Sequence, residues 1–249
     1  MKGDNSIVFT FFRSLRPLVE KLSPDKIYLV LEGMPVHRQA LDTEYKANRR
    51  VEEGTPQWDE MVEFRRQKKI IVDLLRYLPI TVVRHPNFEC DDVIASLVDQ
   101  HAEDECTVVS TDTDFIQLLS RDNAHLYNPV RKEYIEGVLY DYVAWKALRG
   151  DKADNVPAVA GMTDKAAEKI LANPEKLEEF LSVGDNRASY ERNLQLIRLK
   201  IVNHEELEIS PPEVSLDSLR RNLTSLRFFS MVNETAWKNY SKTFAPIYG

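Results

Sequence analysis

Eight carboxylates lie in short clusters along this chain of 249 residues, and their spacing is the first thing that suggests chemistry. Glu89, Asp91 and Asp92 open an apolar-periodic segment, so they fall at a helix N-terminus. Asp112 and Asp114 follow the β-branched run Thr107-Val108-Val109, at the carboxyl end of a strand. Glu32 ends the run Ile27–Leu31 in the same way, and Asp151 and Asp154 follow the helix-ending Gly150. In open α/β sheets ligands bind at the carboxyl ends of strands. Carboxylates collected there repel one another unless a cation stands between them, and hard divalent ions prefer oxygen ligands. Two such ions roughly 3.5–4 Å apart activate a water and stabilise the leaving oxygen of a phosphodiester. None of the five histidines falls in these clusters, and that chemistry does not require one.

The elements that must position these acids follow from periodicity. Residues 4 to 22 read as a helix, with Ser23-Pro24-Asp25 ending it. Ile27–Leu31, apolar on both faces, reads as a central strand of a parallel sheet. A helix over about 57–78 follows, opened by Thr55 or Pro56, and then strands at Ile80–Val83, Thr107–Ser110, Ala124–Tyr127 and Glu133–Ile135. Helices at about 91–102 and 115–119 intervene. Alternating strand and helix is the pattern of a parallel sheet with right-handed crossovers. From Gly137 the chain turns helical, with helices at 140–148, about 164–171, 174–182, 187–198, 215–222 and 233–242. Thr163 or Asp164 is placed to cap the second of these. The expected division is therefore an α/β core over 1–136 and a helical lobe over 137–249.

Composition narrows the setting without deciding the function. No apolar run is long enough to span a membrane, and the polar start Met1–Asn5 has no apolar signal core. Cys90 and Cys106 read as buried free thiols, which fits a reducing cytoplasm. The net charge of −7 does not argue against nucleic acid, because many of the acids sit where metal ions would invert the local sign.

The segments E-C-D-D-V-I-A (89–95), S-T-D-T-D-F-I-Q-L-L (110–119), L-R-G-D-K-A-D-N-V-P-A-V-A-G (148–161) and the basic E-Y-K-A-N-R (44–49) stand out. Together they resemble the signature motifs of the flap endonuclease family of 5′→3′ exonucleases. The match covers about residues 5–200 in family order, and S-Y-E-R-N-L-Q-L-I (189–197) makes it most similar to the bacteriophage ribonuclease H type. The resemblance implies an α/β, PIN-like or resolvase-like nuclease core with a helical arch at about 45–70, and a C-terminal helical lobe. That lobe would contain a helix–three-turn–helix at about 150–171.

The resemblance also assigns roles. Glu32, Glu89 and Asp91 would serve one magnesium ion and Asp112, Asp114 and Asp151 a second, with manganese as a substitute and Asp92 and Asp154 as further or outer ligands. Lys46 and Arg49 would polarise the scissile phosphate, and Tyr45 would stack on a base. Arg65, Arg66, Lys68 and Lys69 would bind phosphates from the arch. Gly161, Lys165 and Lys169 would grip the duplex backbone. The implied partners are DNA with a 5′ flap or RNA primer, and single-strand binding or other replication proteins. The chain would be a cytoplasmic monomer, in a bacterial host if phage-encoded.

Two departures stand out. Gly161-Met162-Thr163 lacks the family's second hairpin glycine, which weighs against a close backbone approach and against a potassium ion held there. The family's first strand, ending in a ligand Asp, has no counterpart before the helix at 4–22, which suggests a late start or a truncation. If that Asp is missing, the competing reading is a structure-specific DNA-binding protein with weakened catalysis. A magnesium-dependent phosphatase on an unrelated α/β fold would use the acids but not the basic motif or the hairpin.

Overall fold

The structure, a computed structural model, describes residues 4–248. The polar residues 1–3, expected to carry no signal core, lie outside the described residues. In chain order the elements are α1 (Ser6–Leu22), β1 (Tyr28–Leu31), α2 (Val36–Leu41), α3 (Pro56–Leu75), β2 (Thr81–Arg84), α4 (Cys90–Gln100) and β3 (Cys106–Val109). Then come β4 (Ala124–Asn128), β5 (Glu133–Ile135), α5 (Tyr142–Arg149), α6 (Asp164–Leu171), α7 (Pro174–Leu181) and α8 (Asn186–Ile197). The last are β6 (Glu208–Ser210), α9 (Leu216–Ser225), α10 (Phe229–Val232) and α11 (Glu234–Phe244). The fold is α/β and mostly helical.

The chain forms two compact units, each built from separate segments. The first takes residues 1–31, 51–84 and 208–249. Its sheet has the order β1-β2-β6, with β1 parallel and β6 antiparallel to β2. Val8 and Phe12 of α1, Leu74 and Leu75 of α3, and Leu219, Leu223, Trp237 and Phe244 of the last helices pack together against it. Burying each large side chain contributes roughly 1.5–3 kcal/mol. The Asn5 side chain does not cap α1; Asp4 Oδ1 accepts from the Ser6 amide at 2.9 Å, and Gln67 of α3, fully buried, accepts from the Ile7 and Val8 amides at 2.9 and 3.3 Å. Thr55 does cap α3, accepting from Trp58 N–H with Pro56 in the first turn.

The second unit takes residues 32–50 and 85–207. Its sheet has the order β3-β4-β5. Val98 of α4, Val108, Leu126 and the 3-10 turn residues Phe115 and Leu118 form one cluster. Tyr45, Ala147, Val156, Leu196 and Ile197 form another.

The expected single parallel sheet is thus two small mixed sheets, each with one parallel and one antiparallel pairing. A tight turn allows only an antiparallel partner, and the turn after β4 is short, with Asn128 Oδ1 accepting from the amides of Val130 and Arg131. β6 is three exposed residues ahead of Pro211-Pro212 and has no pattern to announce it. β1, read as central, has β2 on one side only among the described residues, and Tyr28 is 39% exposed. An apolar run shows that a strand can be covered; its neighbours decide whether it is. Residues 137–207 lie in one unit and 208–249 in the other.

Candidate metal centre

Every acid of the four clusters belongs to the second unit. Two glycines bring their backbones close. A Cβ on Gly33 would lie 2.0 Å from His85 O and 2.2 Å from Phe88 O, so only glycine lets the segment after Glu32 meet the turn that starts α4. Gly150, at φ +74°, ends α5, and a Cβ there would lie 2.5 Å from Val156 O. That approach closes the turn in which Asp151 and Val156 exchange hydrogen bonds of 2.8 and 2.7 Å. Buried Asn193 of α8 holds the same turn, donating to Ala147 O and Pro157 O.

One carboxylate oxygen each from Asp114, Asp151 and Asp154 lies within 4.8 Å of the others. A cleft lined by these three, Glu89, Asp91, Arg38 and Tyr45 surrounds them. Glu32 and Asp112 stand beside Asp91: Glu32 Oε2 accepts from the Cys90 amide at 3.3 Å, and both acids repel the Asp91 charge. Burial, with those two charges, pushes Asp91 up to about 7. Burial raises the neighbouring Cys90 thiol well above its ordinary value, with Asp91 and Glu32 adding to it. Both cysteines are free thiols but half-buried rather than buried.

Asp92 is not among the residues that line the cleft. It is fully buried, its Oδ2 taken by Arg38 Nη1 at 2.6 Å and its Oδ1 by Arg38 Nη2 and the Lys200 amide, both at 2.8 Å. Arg38 also binds Glu89 Oε2 at 2.5 Å, Leu196 O and Arg198 O, so all five guanidinium N–H groups are used. Its burial opposes the charge, but Asp92 and Glu89 outweigh that and hold it protonated more firmly than usual.

The basic motif meets the acids directly. Lys46 pairs with Glu89 and stands 3.6 Å from Asp154, and Arg49 Nη2 stands 2.5 Å from Asp154 Oδ1. Tyr45 donates from one hydroxyl shared between Glu89 and Asp154, at 3.1 Å to each. Tyr45, expected to stack on a base, is 5% exposed and belongs to one buried cluster with Val156 and Leu196.

Lys146 of α5 is 3% exposed and bridges Asp114 and Asp151. Burial disfavours its ammonium, but the two carboxylates hold the proton on more strongly than usual. The two acids respond oppositely. Asp114 is raised because burial outweighs the lysine, and Asp151 is lowered because the lysine outweighs burial.

Sequence reasoning missed Arg38 and Lys146. The signal for Lys146 was a lysine four residues after Tyr142 on a buried helix stripe, where a cation needs partners. Lys165 and Lys169 are exposed on α6, and Gly161 is exposed with open space where a Cβ would be. Thr163 sits at the N-cap of α6 without a side-chain hydrogen bond. Arg65, Arg66, Lys68 and Lys69 belong to α3 in the first unit, where Arg66 binds Glu63, Asn5 and the Asp4 carbonyl.

The family model for the 5′-3′ exonuclease N-terminal resolvase-like domain matches residues 2–148. The chain belongs to the 5′-3′ exonuclease and flap endonuclease family. Among its relatives in this family is a 5′-3′ exonuclease of Mycobacterium tuberculosis, 29% identical over 204 residues, covering 71% of this chain and 64% of that protein. A 5′-3′ exonuclease of Aquifex aeolicus is 27% identical, covering 91% of this chain and 84% of that one. The match to DNA polymerase I of Synechocystis, at 28% identity, covers 70% of this chain but only 19% of that protein. The chain thus spans less than two thirds of the first and a small part of the last.

The fold is also that of solved family members. A bacteriophage T5 flap endonuclease, in a complex with DNA and metal ions, superposes with a TM-score of 0.64 at 18% identity, covering 98% of this chain and 93% of that one. Flap endonuclease-1 of Methanococcus jannaschii gives a TM-score of 0.61 at 17% identity, covering 95% and 80%. No helix among the described residues is long and apolar enough to cross a membrane.

Proposed function

We propose that this chain is a divalent-metal-dependent 5′→3′ exonuclease and flap endonuclease. It would hydrolyse phosphodiesters at 5′ single strands, flaps or RNA primers on duplex DNA during replication or repair. The observation that carries the reading is the convergence of Asp114, Asp151 and Asp154 within 4.8 Å, in a cleft that also holds Asp91 and Glu89. The donor set fits magnesium: it is all oxygen, and buried Lys146 between Asp114 and Asp151 supports the reading that these acids gather positive charge.

Asp114, Asp151 and Asp154, with Asp112 beside them, would hold one ion. Asp91, with Glu89 and Glu32, would hold the other. When bound, such ions supply an activated water and stabilise the leaving oxygen. The chain's own cations do the rest. Lys46 and Arg49, at the rim of the acid cluster, would draw a phosphate against it, and Tyr45 fixes Glu89 and Asp154 through one hydroxyl. Asp92, with both oxygens engaged, would act behind the ligands by fixing Arg38. Arg65, Arg66, Lys68 and Lys69, and Gly161, Lys165 and Lys169, would contact the DNA backbone, giving affinity without sequence preference.

The test is digestion of a 5′-labelled flap substrate with magnesium or manganese by the wild type and by Asp112→Asn. The wild type should release short 5′ products, and the variant should bind DNA yet cut at least ~100-fold more slowly. Binding without product from the wild type in either metal would overturn the proposal.

A further inference from the structure

Lys46 carries its charge from a left-handed backbone, at φ +56°. That conformation is unfavourable for a residue with a Cβ, and it persists only where the surroundings impose it. The surroundings here are a second turn, Lys152–Asn155, between the ligand candidates Asp151 and Asp154 and just beyond them. Besides the bonds of Tyr45 and Arg49 to the Asp154 carboxylate, five hydrogen bonds to main-chain carbonyls tie the two segments together. The Lys46 amide donates to Asp154 O at 2.9 Å. Asn48 Nδ2 donates to Lys152 O at 3.0 Å and Ala153 O at 3.3 Å, and Arg49 Nε donates to Ala153 O at 3.2 Å. Asn155 Nδ2 donates back to Glu44 O at 2.8 Å. Asn155 is itself left-handed, at φ +60°, a conformation that asparagine tolerates better than most residues. Beneath these bonds Tyr45 and Val156 share one buried cluster.

We propose that Asn48 and Asn155 are positioning residues, a two-amide clamp that docks the Glu44–Arg49 segment onto the Lys152–Asn155 turn and so fixes where Lys46 and Arg49 present their charges. Each side chain donates to main-chain carbonyls and carries no charge, so its contribution is geometry rather than a phosphate contact. The clamp makes the basic motif and the Asp151–Asp154 turn one rigid piece, because whatever moves one moves the other. A displacement of about 1 Å in a positioned catalytic group can lower a rate by about 100-fold. The kinetic part of this inference rests on the proposed nuclease reading; the structural part does not.

The experiment uses Asn48→Ala, Asn155→Gly (glycine accepts the left-handed backbone) and the double variant. Amide hydrogen exchange over residues 45–49 is measured on the full chain without metal. The thermal midpoint is recorded beside it, and kcat and KM on a 5′-labelled flap substrate are measured with magnesium. The clamp predicts at least a ~10-fold rise in exchange confined to residues 45–49 and 152–155 in the double variant. It also predicts a kcat about 10-fold lower and little change in thermal midpoint. Unchanged exchange in the double variant overturns the clamp, as does a rise spread over the whole unit with an equal loss of midpoint. If the wild type cuts nothing, the nuclease reading fails, and the exchange measurement still decides the clamp.

Discussion

Lys146 Nζ lies 2.6 Å from Oδ2 of Asp151 and also contacts Oδ1 of Asp114, so one buried ammonium joins the turn after β3 to the turn after α5. It pairs with two of the three acids whose oxygens converge, balancing one of their two charges. Removing it leaves buried carboxylates without a counter-charge, which costs far more than the pair's net worth. Lys146→Met should destabilise the metal-free protein by ~3 kcal/mol, with excess magnesium returning much of the loss. Urea denaturation with a chelator and with magnesium measures both. A loss that magnesium leaves untouched would show that the lysine is not balancing metal-binding acids.

Asp91, raised to about 7, makes metal-free stability depend on pH. Its folded pKa lies above the unfolded value of about 3.9, so the folded state binds more protons between the two. Stability from this group is present below about pH 4 and declines as pH rises through about 7. Asp91→Asn should therefore stabilise the chelated protein at pH 8 by ~1–3 kcal/mol and by almost nothing at pH 4. Paired denaturation curves at the two values check this, and an equal gain at both would refute the assigned cause.

Arg38 bonds to Glu89 and Asp92 with every donor engaged. Arg38→Met should cost ~3–5 kcal/mol, because two buried carboxylates lose their cation. Adding Asp92→Leu removes one of those charges and should recover part of the loss, a non-additivity visible in a double-mutant cycle. Additive losses would mean that the two residues do not work as a pair.

Gly150 and Gly161 share a left-handed φ but not their surroundings. Gly150→Ala places a methyl 2.5 Å from Val156 O and should cost at least ~2 kcal/mol, loosening the turn that carries Asp151. Gly161→Ala meets open space and should cost only ~1 kcal/mol, from backbone strain alone. Thermal midpoints of the two variants give the order directly.

The carboxylate types, their offsets from strand and helix ends, and the basic motif were all legible along the chain, because each is a local pattern of one element and its flanks. So were most helices and β2 to β5, whose apolar periods are short-range signals. β6 was not legible, because three exposed residues acquire strand geometry only from their pairing with β2. The coverage of β1 was misread for the same reason: among the described residues only β2 pairs with it, and composition does not record a strand's neighbours. Within the site, the sequence determined that acids would gather, because strand ends and helix starts place them. Only the tertiary structure decided which ones converge, that Asp92 turns inward to Arg38, and that Lys146 stands among the rest. Residues as far apart as Asp114 and Asp151, or Arg38 and Leu196, meet only when the whole unit is packed, and no local pattern records that distance.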